Sequence, residues 1–153
     1  MSELASIKKE LFQIANRMVA EKLEFNRKAL QELKDSAGSE TKSSAGDKHE
    51  TGRAMVHLEQ EKMAQQLASN QSMQSVLAKI DPEILNPVIS LGSLVITDKL
   101  RFFVSVALGK VELNKKEYYL VSLTSPLAKQ FVSKQKGNTV SFNNQDYLIE
   151  ETA

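Results

Sequence analysis

The sequence has no cysteine, no tryptophan, and no proline before Pro82. The lack of cysteine removes disulfides, thiolate zinc sites and a cysteine nucleophile together, and it agrees with a reducing compartment. Aromatic residues are scarce at 6%, which argues against a large aromatic pocket. An excess of one charge is missing as well: 20 Lys and Arg stand against 19 Asp and Glu, a formal net charge of +1. A chain that gripped a polyanion by bulk charge would be more lopsided. Long hydrophobic runs are absent too. Stretches such as Val104 to Leu108 fall far short of the ~20 residues that span a bilayer. The N-terminal MSELASIKKELFQ is amphipathic and has no apolar core of a secretory signal. The expected compartment is the cytoplasm, with no membrane partner.

What is present is a chain of 153 residues, 41% apolar and 25% charged, the balance of a globular protein with one ordinary domain or two small ones. Its two halves have different periods. Leu4, Ile7, Leu11, Ile14 and Met18 step by three and four, and Phe25, Ala29 and Leu33 continue the stripe after a charged gap at Glu21 and Lys22. Small polar residues with two glycines, Ser36 to Gly46, interrupt it as a turn or loose tip. Periodicity resumes through Met55, Leu58, Met63, Leu67, Met73, Leu77 and Ile80, until Asp81-Pro82 stops it. Residues 4–36 and 47–80 would each form a helix of ~50 Å. Two such helices joined by a short break most economically make an antiparallel hairpin with a narrow seam and a polar far end.

After Leu85 the period becomes that of strands: Leu94 to Thr97, Arg101 to Val106, Lys110 to Leu113, and Glu117 to Leu123. Ser125-Pro126 opens a short helix, with Ser125 as N-cap. Val140 to Phe142 and Tyr147 to Ile149 flank an Asn143-Asn144-Gln145 hairpin turn. The expected fold class is α+β: an antiparallel coiled-coil hairpin over 1–82 with its tip near 37–50, then a small, mostly antiparallel β-sheet domain with one helix over 83–153. Basic and acidic residues number 12 and 13 up to residue 86, and 8 and 6 after it, so neither half is a polyelectrolyte.

Candidate chemistry gathers at the tip. Asp47 and Glu50 are three residues apart, which on a helix sets their carboxylates on one face. Such a pair can share a hard divalent cation through oxygen ligands and water. It binds weakly alone, so it suits the completion of a metal site owned by a partner. The same acids, in the first turns of a helix and after Ser44, equally serve as capping and macrodipole residues. His49-Glu50-Thr51-Gly52-Arg53 resembles the zinc-protease HExxH pattern, but Arg53 cannot ligate zinc. Ser125 has no nearby histidine to activate it, and Gly38, Gly46 and Gly52 match no phosphate loop.

Three segments resemble the bacterial Gre family of transcript-cleavage factors. Gly46-Asp47-Lys48-His49-Glu50 is similar to the family's G-D-x-x-E tip, and Leu123-Thr124-Ser125-Pro126-Leu127-Ala128-Lys129 to its V-N-S-P-I-A-R run. Lys134, Gly137 and Val140 then precede a final hairpin, as in that family. The resemblance implies an FKBP-like C-terminal domain docked on RNA polymerase at the rim of its secondary channel, with the coiled coil inside the channel and the transcript 3′ end nearby. It also implies that Asp47 and Glu50 help hold a second Mg²⁺ in the polymerase active site. The polymerase, not this chain, would then hydrolyse a backtracked transcript by two-metal chemistry. After Glu50 the sequence departs from the family: Thr51-Gly52-Arg53-Ala54 replaces N-A-E-Y, which removes an acid and adds a positive charge. A channel regulator that inhibits or tunes the polymerase without cleavage is therefore the alternative, and a non-enzymatic coiled-coil adaptor is another. A prolyl isomerase, suggested by the FKBP-like fold alone, lacks the indole that floors such pockets.

Overall fold

The computed structural model describes residues 2–41 and 46–153, and the side chains of all of these except 37–51. Helix α1 runs Glu3–Thr41 and helix α2 Gly46–Ala78. Ser36 to Thr41 is thus helical, where the composition of Ser36 to Gly46 predicts a loop; residues 42–45 of that predicted tip lie outside the described residues. Ala and Glu offset the weaker Ser and Thr, and one internal Gly costs only ~1 kcal/mol against Ala. Six strands follow, interrupted by one helix: β1 Leu94–Thr97, β2 Arg101–Ser105, β3 Gly109–Leu113, β4 Lys116–Ser122, α3 Pro126–Phe131, β5 Thr139–Phe142 and β6 Gln145–Thr152. The observed class is the expected one, two long helices and then a sheet domain with one short helix. Among the described residues no helix is long and apolar enough to cross a membrane.

By its contacts the chain divides into two compact units, Met1–Met18 with Ser75–Ala153, and Val19–Gln74. In the first, the strand order is β3-β4-β2-β1-β6-β5. All neighbours are antiparallel except β2 and β4, which run parallel with Phe102 opposite Tyr119. That pair makes the sheet mixed, because β3 lies on the far side of β4 and the chain returns between them. The β3–β4 turn holds Asn114 and Lys115 at φ 53° and 66°, and the β5–β6 turn holds Asn143 and Asn144 at 50° and 63°. Both are left-handed pairs that match strand twist.

Alternation along the strands gives the sheet two buried faces. Val95, Phe102, Val104, Tyr147 and Ile149 join Phe131 of α3, whose ring meets Phe102 edge-on at 5.0 Å. Leu94, Phe103, Tyr118 and Leu120 are buried on the opposite side. Tyr118 there is pushed above its ordinary pKa, first by burial, and the carboxylates of Glu3 and Glu10 add to the effect against Arg101. The first turns of α1 therefore lie near that face, and Ala5, Ile7, Leu11, Leu77 and Ile80 are buried in the same unit. Gly92 adopts φ 89°, a conformation that strains any side chain, and a Cβ there would sit 3.1 Å from Ile80 Cγ2, tighter than ordinary contact.

In the second unit the helices run antiparallel. Asn26 of α1 meets Met63, Gln66 and Asn70 of α2, while Leu30 and Lys34 share a shallow groove with His57, Gln60, Glu61 and Ala64. The buried stripe of α1 is Leu11, Ala15, Val19, Leu23 and Asn26. It differs from the apolar stripe of the sequence: Phe25, and in α2 Met55 and Leu58, are exposed, while Val56 and Gln60 are half-buried. Small Ala15 and polar Asn26 and Gln60 occupy seam positions that a search for apolar periodicity passes over.

Candidate functional site: the helical hairpin and its base

Asp47 and Glu50 fall in the first two turns of α2, which begins at Gly46. That backbone puts residues three apart on one face. Their side chains, with those of Glu40, Lys48 and His49, lie outside the described residues. Among the described residues no group of three or more His, Asp or Glu is placed to hold a metal ion. His57 lines a shallow groove with Lys34 and Glu61.

The described part of the hairpin carries a polar layer. Asn70 Nδ2 donates to Asn26 Oδ1 at 2.6 Å, and Asn26 Nδ2 reaches Gln66 Oε1 at 3.3 Å and Met63 Sδ at 3.0 Å. Asn26 is fully buried and Asn70 nearly so. A buried amide in a helical seam lowers stability relative to Leu but favours the one alignment in which it is paired. Neither asparagine stands out in sequence, because single polar residues within an apolar period look like noise. The signal that marks them is their spacing, since Leu23 and Leu67 each precede an Asn by three.

A second polar feature lies at the base of α1. Lys8 is completely buried and its ammonium donates to the Ile84 carbonyl at 2.5 Å. Burial lowers its pKa from 10.5 to about 8, and the negative charge of Asp81 recovers part of the loss. Beside it, Lys9 forms a 2.9 Å ion pair with Glu83. Nothing in the sequence marks Lys8, which is one of several lysines in an amphipathic helix.

In the sheet domain, Ser125 Oγ accepts the Ala128 N–H at 3.2 Å and Pro126 occupies the first helical position. The hydroxyl caps α3, as the sequence predicts. A concave patch nearby is lined by Lys99, Arg101, Glu117, Tyr119, Gln145 and Tyr147. Its Lys99 is held by Asp98 at 3.5 Å and by the Asp146 carbonyl, and lies over the Tyr147 ring. The Asp98 carboxyl is held below its usual range, chiefly by the Leu148 N–H it accepts.

These features define an α+β protein with a long two-helix hairpin, an acid pair at the start of its second helix, and a mixed sheet carrying one capped helix. Among solved structures, the chain is similar to one described as the structure of the transcription factor Gfh1, with 19% identity, 90% of this chain and 92% of that chain covered, and a TM-score of 0.37. No protein-family model matches the sequence, and no curated protein matches it.

Proposed function

We propose that the protein is a transcription regulator that binds RNA polymerase, sends its hairpin into the secondary channel, and tunes elongation. The observation that carries this reading is the acid pair Asp47 and Glu50 in the opening turns of α2, within a hairpin of 39-residue and 33-residue helices. Helices of that length bury only a narrow seam, so their extent serves reach better than core formation. The tip and Ser-Pro segments that resemble the Gre family support the same partner. On this reading the reaction centre belongs to the polymerase, and the two acids add ligands to the Mg²⁺ it holds. Arg53, one turn after Glu50, opposes a second cation and favours tuning over stimulated cleavage.

The test is an elongation and transcript-cleavage assay on backtracked complexes of a bacterial RNA polymerase. The parent protein is expected to bind the polymerase and change its elongation or pausing rate several-fold, with cleavage not raised. The Asp47→Ala/Glu50→Ala variant should still bind but lose most of that effect. Strong cleavage stimulation that disappears in the double variant would establish the stimulator instead. A parent protein that neither binds nor alters the polymerase would sink both readings.

A further inference from the structure

The segment from Pro82 to Val88 presents apolar side chains to solvent. Ile84 is 55% exposed, Leu85 52% and Val88 45%, within five residues of one another. Exposed aliphatics are common singly, but three together on a loop are not what a solvated connection requires.

The backbone that carries them is held at many points. Glu83 N donates to Asp81 Oδ1 at 3.0 Å and Ile84 N to the Asp81 carbonyl at 3.2 Å. The Lys8 ammonium takes the Ile84 carbonyl, and Lys9 pairs with Glu83. At the other end Thr152 Oγ1 donates to the Pro87 carbonyl at 3.1 Å, and Val88 bridges to Gln135. A buried ammonium is a costly way to fix one carbonyl of an exposed loop, since water would satisfy that carbonyl freely. Fixing it does have one clear effect. The apolar knuckle is ordered before anything touches it, so a partner need not supply the ordering entropy.

We propose that the Ile84-Leu85-Val88 knuckle is a preorganised anchor that seats in an apolar cleft of a larger protein partner. The surface offered settles the kind of partner. It amounts to roughly 300 Å², against the ~800 Å² per side of a stable interface, too little to hold a second copy by itself. It is the right size for one buried anchor within a wider contact. Asp81, Glu83 and Lys9 around it supply the polar rim of such an anchor. The partner's identity rests on the polymerase reading above.

The experiment measures binding of the full-length parent, Ile84→Ser/Leu85→Ser, and Asp47→Ala/Glu50→Ala to bacterial RNA polymerase. Circular dichroism melts confirm that each is folded, and Leu85→Glu alone is the reserve if the double serine variant is not. The knuckle variant should bind at least ~10-fold more weakly, while the tip variant binds like the parent. Equal binding by parent and knuckle variant overturns the anchor and leaves the polymerase reading standing. No binding by the parent overturns both. A parent dimer in sedimentation that the knuckle variant abolishes also overturns the proposal, since the occupant is then a second copy.

Discussion

Lys8 shows what a single side chain costs and where that cost appears. Its folded pKa of about 8 lies below the 10.5 of the free side chain, so between these values the folded protein binds fewer protons than the unfolded one. Stability must therefore rise with pH across that window, and below pH 8 the full penalty of about 3 kcal/mol is present. Lys8→Met keeps the stem's volume and removes the charge. Urea unfolding at pH 7, 9 and 10 should show the variant more stable than the parent at pH 7, with the gap closing as pH rises. Other groups titrate equally in both proteins and cancel in the difference. Parallel pH profiles would mean that Lys8 is solvated in solution. The same variant frees the Ile84 carbonyl, so it also loosens the knuckle while leaving its side chains intact.

At the scale of the element, the Asn26–Asn70 layer and its Gln66 and Met63 neighbours form one unit of the hairpin seam. Replacing Asn26 by Leu leaves the Asn70 amide buried without its partner, which costs about 1–3 kcal/mol. Replacing both by Leu substitutes packing for the hydrogen bond, and the loss should largely vanish or reverse. Urea midpoints followed by helical circular dichroism for the two single variants and the double variant give the coupling. Additive losses would show that the two amides act separately. This layer also marks the limit of sequence reading. The helix pair, the strands and the Ser125 cap were legible because period, proline and capping chemistry are local. The seam itself was not, because Ala15 and Asn26 are buried and Gln60 half-buried for reasons of partner geometry, while Phe25, Met55 and Leu58 are apolar yet exposed. The parallel pairing of β2 with β4 was likewise hidden, since strand order is set by long-range contacts that no short window contains. Of the candidate site, the acid pair was visible as a spacing, whereas buried Lys8 and its carbonyl, 76 residues apart, were not.

The whole molecule is unevenly held together. Among the described side chains of Val19–Gln74, only Val19, Leu23, Asn26 and Asn70 are buried, and two of these four are polar. The other unit buries both faces of a six-stranded sheet. Local opening free energy follows buried apolar contact, so the two units should open at different energies. Native-state hydrogen exchange should find amides of β1, β2 and β4 protected to the global limit, with those of Val19–Gln74 exchanging at least ~100-fold faster by sub-global opening. Small amounts of urea should leave the hairpin amides nearly unchanged and accelerate the sheet amides, since only global unfolding exposes a large surface. Uniform protection would instead describe a single cooperative body, and the hairpin would then draw stability from something other than its own seam. If the two tiers are found, an RNA polymerase that encloses the hairpin should slow exchange there selectively. The sheet amides, already at their limit, should change only as global stability changes.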